Sequence, residues 1–177
     1  MKNTLILLFG LFAANRSTAQ YKPADQGSEI KFTINNFGFG VDGRFSGLQG
    51  SIDFDPQNLM SGKFDVSIDA STVNTDNSLR DSHLRNDSYF DVKNYPRIRL
   101  VSATIASTGA AGTYLFTGQL TIKKTTLPVS FPFTVDQEGG GLGFKGSFTI
   151  KRKDFDVGGT STISNDLTVS LHVLATK

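Results

Sequence analysis

Alternation of apolar and polar residues is the feature of this sequence that most constrains its fold. Apolar side chains recur at every second position over long segments, and the 3.6-residue period of an amphipathic helix is nearly absent. Because successive side chains of a strand point to opposite faces, such runs predict strands with one buried face and one face in solvent. The clearest runs are Ile30–Ile34, Phe64–Ala70, Tyr114–Ile122, Leu127–Val135, Leu142–Ile150 and Leu167–Val173.

Two further segments alternate in the same way but change phase partway. In Val41–Phe54 the apolar positions move from odd to even numbers across Gly47–Gly50, and Ile98–Ile105 contains a similar change. A change of phase within a strand indicates a β-bulge or a sharp bend. With these two segments, the sequence predicts about eight strands joined mostly by short turns, such as the one indicated by Gly139–Gly141.

The segment Ser71–Pro96 lacks this alternation. Ser78 and Asp81 have the spacing of a helix capping box, and the residues after them recur at helical intervals, so we predict one short helix over Ser78–Asn86. An all-β chain of about eight antiparallel strands with one short helical insert favours a closed barrel, because closure leaves no exposed sheet edge. The interior of an eight-stranded barrel is either filled by side chains or able to hold one small ligand.

Residues Met1–Ala19 have the features of a secretory signal peptide. An early lysine precedes the apolar run Leu5–Ala14, which at about ten residues is too short to span a bilayer. Ser17 and Ala19 are the small residues expected before a cleavage site, which we place directly after Ala19. The sequence therefore predicts a mature domain over residues 20–177, periplasmic or secreted, without a transmembrane segment after cleavage.

The charge balance and the residue types exclude several functions. The chain has 18 Lys and Arg against 16 Asp and Glu, and removing Lys2 and Arg16 with the signal peptide leaves 16 of each. A neutral domain without a basic run is a poor match for nucleic acid. There is no cysteine, and only two histidines, so we expect no disulfide, no metal site and no other cofactor. The sequence favours no particular oligomeric state.

Candidate chemistry is confined to the cluster Arg80, Asp81 and His83. A catalytic interpretation needs a titratable group within hydrogen-bond reach of a substrate, and the chain contains no G-x-S-x-G nucleophile motif. We therefore favour a structural motif that pins the helix to one end of the barrel, and we predict no catalytic residue. The alternative is an enzyme that acts on a hydrophobic substrate through these three residues.

The aromatic residues support a ligand cavity. The chain has 15 Phe and 4 Tyr, and several alternating runs carry two or three of them. A cavity with smooth apolar walls is suited to a long alkyl or prenyl tail. Each buried CH₂ contributes about 0.8 kcal/mol, so a tail of about twenty carbons can bind without an ion pair. The candidate ligand-binding residues are Phe32, Ile34, Phe45, Leu120, Phe131, Phe133, Phe144 and Phe148.

A further alternative is a barrel whose interior is filled with side chains and which binds a protein partner.

Three motifs resemble those of the YceI-like family of secreted and periplasmic lipid-binding (polyisoprenoid-binding) proteins. They are Arg80–Leu84 with Tyr89–Val92 and Tyr95-Pro96, then Gly118–Lys123 with Thr125 and Leu127–Val129, and finally Lys151–Val157. The resemblance implies an extended, lipocalin-like antiparallel β-barrel that binds, sequesters or carries a long isoprenoid or fatty amphiphile without transforming it. This chain has Tyr21, Asn35-Asn36 and Leu100 where the family usually has Trp, His and an aromatic residue.

Overall fold

A computed structural model describes residues 19–160 and 162–177, which form eight strands, one α-helix and two 3₁₀ helices. Helix α1 (Ser78–Arg85) lies between the third and fourth strands, and the 3₁₀ helices Leu59–Ser61 and Arg152–Phe155 follow the second and seventh strands. Apart from Ala19, the predicted signal peptide lies outside the described residues. The strands are β1 (Gln20–Asn36), β2 (Phe39–Asp53), β3 (Lys63–Asn74), β4 (Arg97–Ser107), β5 (Thr113–Ile122), β6 (Thr125–Glu138), β7 (Gly141–Lys151) and β8 (Ile163–Thr176).

The strands form a closed barrel. Each strand pairs antiparallel with its neighbours in sequence, and β8 returns to pair with β1. The predicted all-β barrel of eight antiparallel strands with one short helix is therefore confirmed. This meander places the start of β1, the end of β8 and the β2–β3, β4–β5 and β6–β7 connections at one end. Helix α1 and the remaining connections lie at the other end.

Both predicted phase changes coincide with irregular pairing. The register between β2 and β3 shifts twice between Arg44 and Gln49, and the register between β4 and β5 shifts between Ser102 and Thr104. At the β2 bend Gly50 has φ of 125°, and a Cβ there would lie 2.0 Å from the carbonyl oxygen of Asp65. The bend therefore requires glycine at this position.

Strand β1 is longer than the alternation indicates. Its first half pairs in a register that shifts between Ala24 and Glu29, which destroys the two-residue period. The Asp25 carboxylate accepts hydrogen bonds from the backbone N–H groups of Gly47 and Leu48, both at 2.9 Å. A side chain of β1 thus satisfies backbone groups at the bend of β2, where regular pairing is interrupted.

The barrel interior is divided along its axis into two halves. In the packed half, where β1 begins and β8 ends, the ring of Phe54 lies 5.1–6.4 Å from the rings of Tyr114, Phe133 and Phe144. Such edge-to-face aromatic contacts fill space and stabilise the packing. In the half beneath helix α1, the inward-facing side chains border a cavity. The buried residues of the packed half are Ile52, Phe54, Phe64, Ile105, Phe116, Phe131, Phe133, Leu142, Phe144 and Ala175, and buried Ile30 and Val173 contact this cluster while also lining the cavity.

Candidate ligand cavity

The cavity beneath α1 has a volume of about 420 Å³. Inward-facing residues of every strand except β6 line it, together with residues of α1 and of the segment that follows the helix. The lining is predominantly aliphatic and aromatic, and its volume lies within the roughly 300–1,000 Å³ typical of small-molecule sites. The arrangement can therefore hold an apolar ligand through burial of its surface.

The structure divides the eight candidate ligand-binding residues between the two halves. Five line the cavity: Phe32, Ile34, Phe45, Leu120 and Phe148. The other three, Phe131, Phe133 and Phe144, are buried in the packed half. Phe131 stacks on Phe148 with the ring centroids 4.5 Å apart, so it supports the cavity wall from behind. Alternation identifies the face on which a residue lies, but it does not identify its level along the barrel axis.

Several lining residues were not among the sequence candidates. Leu84, Tyr89 and Phe90 close the cavity from the side of α1, and they lie in the segment without alternation. Phe90 contacts Phe45 edge-to-face at 5.3 Å, which joins this segment to the barrel wall. Two positions that depart from the family's usual residues, Asn36 and Leu100, also line the cavity.

Helix α1 is fixed by Thr75, which both Arg80 and Asp81 contact. The Asp81 carboxylate accepts hydrogen bonds from the backbone N–H and the hydroxyl of Thr75, at 2.9 and 2.6 Å. Arg80 donates to the same hydroxyl and to the Thr75 carbonyl, both at 2.7 Å. Thr75 and Asp81 are buried. Through these hydrogen bonds, the side chains of Arg80 and Asp81 hold the helix against the end of β3.

The start of the helix differs from the prediction in its cap. The predicted capping box at Ser78 and Asp81 is wrong, because Asn77 is the N-cap and its side chain accepts from the backbone N–H of Arg80 at 3.0 Å. Ser78 is the first helical residue, and Asp81 is committed to Thr75.

His83 takes no part in the hydrogen bonds that Arg80 and Asp81 make with Thr75. Its side chain is exposed and lines the cavity mouth. Among the described residues no hydrogen-bond or ion-pair partner of its imidazole is found, so no carboxylate orients it as a general base. The three residues of the predicted motif are neighbours in sequence, but the structure does not bring them together as one acid–base site.

Two arginines tie the ends of α1 to the barrel. Arg85 donates to the carbonyls of Ser71 and Val73 on β3, at 2.7 and 2.9 Å. At the other end, Arg44 of β2 forms a two-point ion pair with Asp76, with distances of 3.0 and 2.7 Å. Hydrogen bonding from Arg44 holds the pKa of the Asp76 carboxyl below its usual value.

Arg152 organises the loop between β7 and β8, a role that the motif Lys151–Val157 does not by itself predict. The side chain is only 3% exposed. A buried guanidinium needs several acceptors, and here backbone carbonyls supply them at 2.8–3.2 Å. The acceptors include the carbonyl oxygens of Val157, Gly158, Gly159, Ile163 and Ser164.

Lys123 joins three connections at this end of the barrel. It lies in the β5–β6 turn with its side chain almost fully buried. Its ammonium group donates to the carbonyl of Asp156 at 2.7 Å and to the carbonyl of Asp87 at 3.3 Å. The motifs around Arg80, Lys123 and Arg152 thus meet at the α1 end of the barrel, where they fix the loops.

The remaining titratable groups give no sign of a metal centre. Within residues 19–160 and 162–177, no three His, Asp or Glu side chains are close enough together to hold an ion. His172 lies on the outer face of β8, 3.0 Å from Glu138. A hydrogen bond from His172 and a weaker contribution from a hydrogen bond with Lys145 lower the pKa of the Glu138 carboxyl.

Within residues 19–160 and 162–177, no helix has both the length and the apolar character needed to cross a bilayer.

The structure is a closed antiparallel β-barrel with a predominantly apolar cavity at one end. The chain belongs to the YceI-like domain family, whose sequence profile matches residues 21–175. The resemblance carried by the three motifs is thereby confirmed.

Relatives from bacteria match over most of their length. A UPF0312 protein of Pseudomonas aeruginosa is 33% identical over 170 residues, which is 89% of this chain and 88% of the relative. A UPF0312 protein of Photorhabdus laumondii is 34% identical over 169 residues, covering 88% and 87% of the two chains.

Solved structures have the same fold. BcnA of Burkholderia cenocepacia superposes with a TM-score of 0.81 at 28% identity, over 87% of this chain and 99% of its own. A polyisoprenoid binding domain from Saccharophagus degradans superposes with a TM-score of 0.69 over 90% and 98% of the two chains. At 16% identity this second likeness shows the shared fold alone.

Proposed function

We propose that this protein binds one long-chain apolar amphiphile, isoprenoid-like or fatty, in the cavity and sequesters or carries it without chemical change. The observation that carries the proposal is the cavity of about 420 Å³ with a predominantly apolar lining. A filled structural barrel would have no such space. The predicted signal peptide supports action in the periplasm or outside the cell.

The ligand's orientation follows from where polar groups lie. Among the lining residues, Asn77 and His83 are polar and exposed and Asn36 is polar and half-buried, whereas Leu120 and Phe148 are apolar and buried or half-buried. The apolar tail would lie in the deep part, where each buried CH₂ contributes about 0.8 kcal/mol. The polar end would remain at the mouth, where amides and an imidazole can hydrogen-bond to it.

A binding role fits the polar residues better than catalysis does. Arg80 and Asp81 are engaged with Thr75, and His83 has no carboxylate partner within the described part of the chain. Arg152, which is buried, hydrogen-bonds to backbone carbonyls of its own loop. These groups stabilise the walls of the cavity and leave no oriented acid–base pair beside it among the described residues.

Native mass spectrometry of protein purified from its own host tests the proposal. We expect a stoichiometric adduct that is released by organic solvent and identified as a prenyl or acyl lipid. Delipidated protein should take the same lipid up again. Protein that carries no adduct and takes up neither prenyl nor acyl chains would overturn the proposal and favour a barrel that acts through a protein partner.

A pair of variants on β8 locates the ligand. Val169 faces the cavity, whereas its neighbour Ser170 is exposed on the outer face of the barrel. Val169→Trp adds volume inside the cavity, so we expect it to abolish uptake of the lipid. Ser170→Trp adds the same side chain outside and should bind as the natural protein does. Equal uptake by both variants would place the ligand elsewhere.

A further inference from the structure

Two phenylalanines project from the β1–β2 hairpin at the edge of the cavity. Phe37 and Phe39 are 73% and 76% exposed, respectively, although aromatic side chains of this size are usually buried. Residues on both sides of the turn, Asn36 and Val41, line the cavity. The exposed rings therefore lie beside lining residues at this end of the barrel, although neither ring lines the cavity itself.

The conformation of this turn disfavours an aromatic residue. Phe37 and Gly38 form a two-residue hairpin turn with φ angles of 52° and 83°. Positive φ at both positions is the pattern of a type I′ turn, in which Asn-Gly is preferred. A non-glycine residue is strained at a positive φ, and Phe37 is too exposed for burial to offset this strain. An aromatic residue that is both exposed and strained by the turn adds little to folding, which points to a function at the hairpin.

Helix α1 adds a third apolar side chain at the same mouth. Leu79 lines the cavity, yet it is 68% exposed. We call Phe37, Phe39 and Leu79 the apolar rim. The hairpin from Asn35 to Val41 contains no charged residue.

We propose that the apolar rim inserts into the surface of a lipid bilayer, and that the amphiphile moves between bilayer and cavity through it. This inference rests on the proposed function, because a long apolar tail is poorly soluble and must pass from one apolar phase to another. Three side chains on a narrow hairpin and a helix end fall far short of the roughly 800 Å² that each partner buries in a stable protein interface. Apolar side chains that penetrate about 5–10 Å are instead enough to attach a protein to a bilayer.

Flotation with phosphatidylcholine vesicles tests the insertion. The double variant Phe37→Asn/Phe39→Thr removes both rings, and Asn improves the turn, so the protein should fold at least as well. Met60→Ser is the matched control, because Met60 is 99% exposed on the 3₁₀ helix at the opposite end. We expect the natural protein and Met60→Ser to float equally, and the double variant to associate about tenfold less. Charge is not the attraction, so the association should persist in high salt.

Two measurements separate this inference from the proposed function. Lipid delivered in detergent measures binding in the cavity, and transfer of a fluorescent prenyl or acyl lipid between vesicles measures passage through the mouth. We expect the double variant to bind normally from detergent but to transfer lipid about tenfold more slowly. Unchanged flotation and transfer would overturn the inference and leave the proposed function intact. Association that requires a membrane protein would overturn it in favour of a protein partner. Failure of the natural protein to bind lipid from detergent would instead contradict the proposed function, whatever the flotation shows.

Discussion

The aromatic ring of Phe32 on β1 occupies the space above Gly43, the residue directly opposite on β2. A Cβ at position 43 would lie 2.1 Å from the Cζ atom of Phe32. Because glycine has no side chain, the ring can lie close to the barrel wall on its inner face. The pair therefore gives the cavity an aromatic wall without filling its centre.

Gly43→Ala is expected to weaken lipid binding. The added methyl group displaces the Phe32 ring from the wall, and the ring then moves into the space that the ligand would occupy. Overpacking of this kind costs about 1–3 kcal/mol, and a loss of this size in binding free energy lowers the affinity by roughly 5- to 150-fold. Gly40→Ala adds the same methyl group on the same strand, where nothing lies within 4 Å. Titration of the two variants with a fluorescent acyl or prenyl probe makes the comparison, and equal dissociation constants would contradict the role of Gly43.

Arg152→Met is expected to destabilise the barrel severely. The change leaves buried carbonyls of the β7–β8 loop without their donor, and each unsatisfied buried polar group costs about 1–3 kcal/mol. Arg152→Lys keeps the charge but has fewer donors in a different geometry, so it should restore only part of the loss. Lys151→Met, at the exposed neighbouring position, is the control. Urea unfolding measures all three, and a loss below about 1 kcal/mol for Arg152→Met would show that the carbonyls find other partners.

Asp81 and His83 are expected to behave in opposite ways although they are two residues apart. Asp81→Ala removes the acceptor of two hydrogen bonds from buried Thr75, so the free energy of unfolding should fall by about 1–3 kcal/mol. His83→Ala changes an exposed side chain and should alter the stability by less than about 0.5 kcal/mol. Thermal unfolding of the two variants separates a structural aspartate from a histidine at the cavity mouth. Similar losses in both would show that His83 also supports the helix.

The sequence predicts the barrel well because period-two alternation directly reports which residues face inward. It misses the first half of β1, where the Asp25 carboxylate accepts hydrogen bonds from the bend of β2 and the register is shifted. In the site, alternation correctly orients Phe133 toward the interior but cannot tell that it lies in the packed half. The role of Arg152 has no sequence signal of its own, since its partners are backbone carbonyls, which every residue carries.

The ion pair between Asp65 and Arg99 predicts how stability responds to acid. Arg99 of β4 donates to both carboxylate oxygens of Asp65 on β3, at 2.8 and 2.6 Å. These hydrogen bonds lower the pKa of Asp65 from its ordinary value, and desolvation opposes them only in part. An unfolded aspartate has a pKa of about 3.9, so the pair's contribution is fully present well above that pH. As the pH falls through the lower pKa of the folded state, the carboxylate is protonated and the contribution is lost.

Asp65→Asn should therefore destabilise the protein at pH 7 but not at a pH well below the folded pKa of Asp65. The pair is partly exposed, so we expect a difference of about 0.2–1 kcal/mol at neutral pH and convergence of the two proteins in acid. Asp136→Asn is the matched control, because within the described residues no hydrogen bond or ion pair of this exposed carboxylate on β6 is found. Urea unfolding across the acid range measures both variants. A difference between Asp65→Asn and the natural protein that stays constant from pH 7 into acid would mean that the substitution changes packing rather than removing a charge interaction with Arg99.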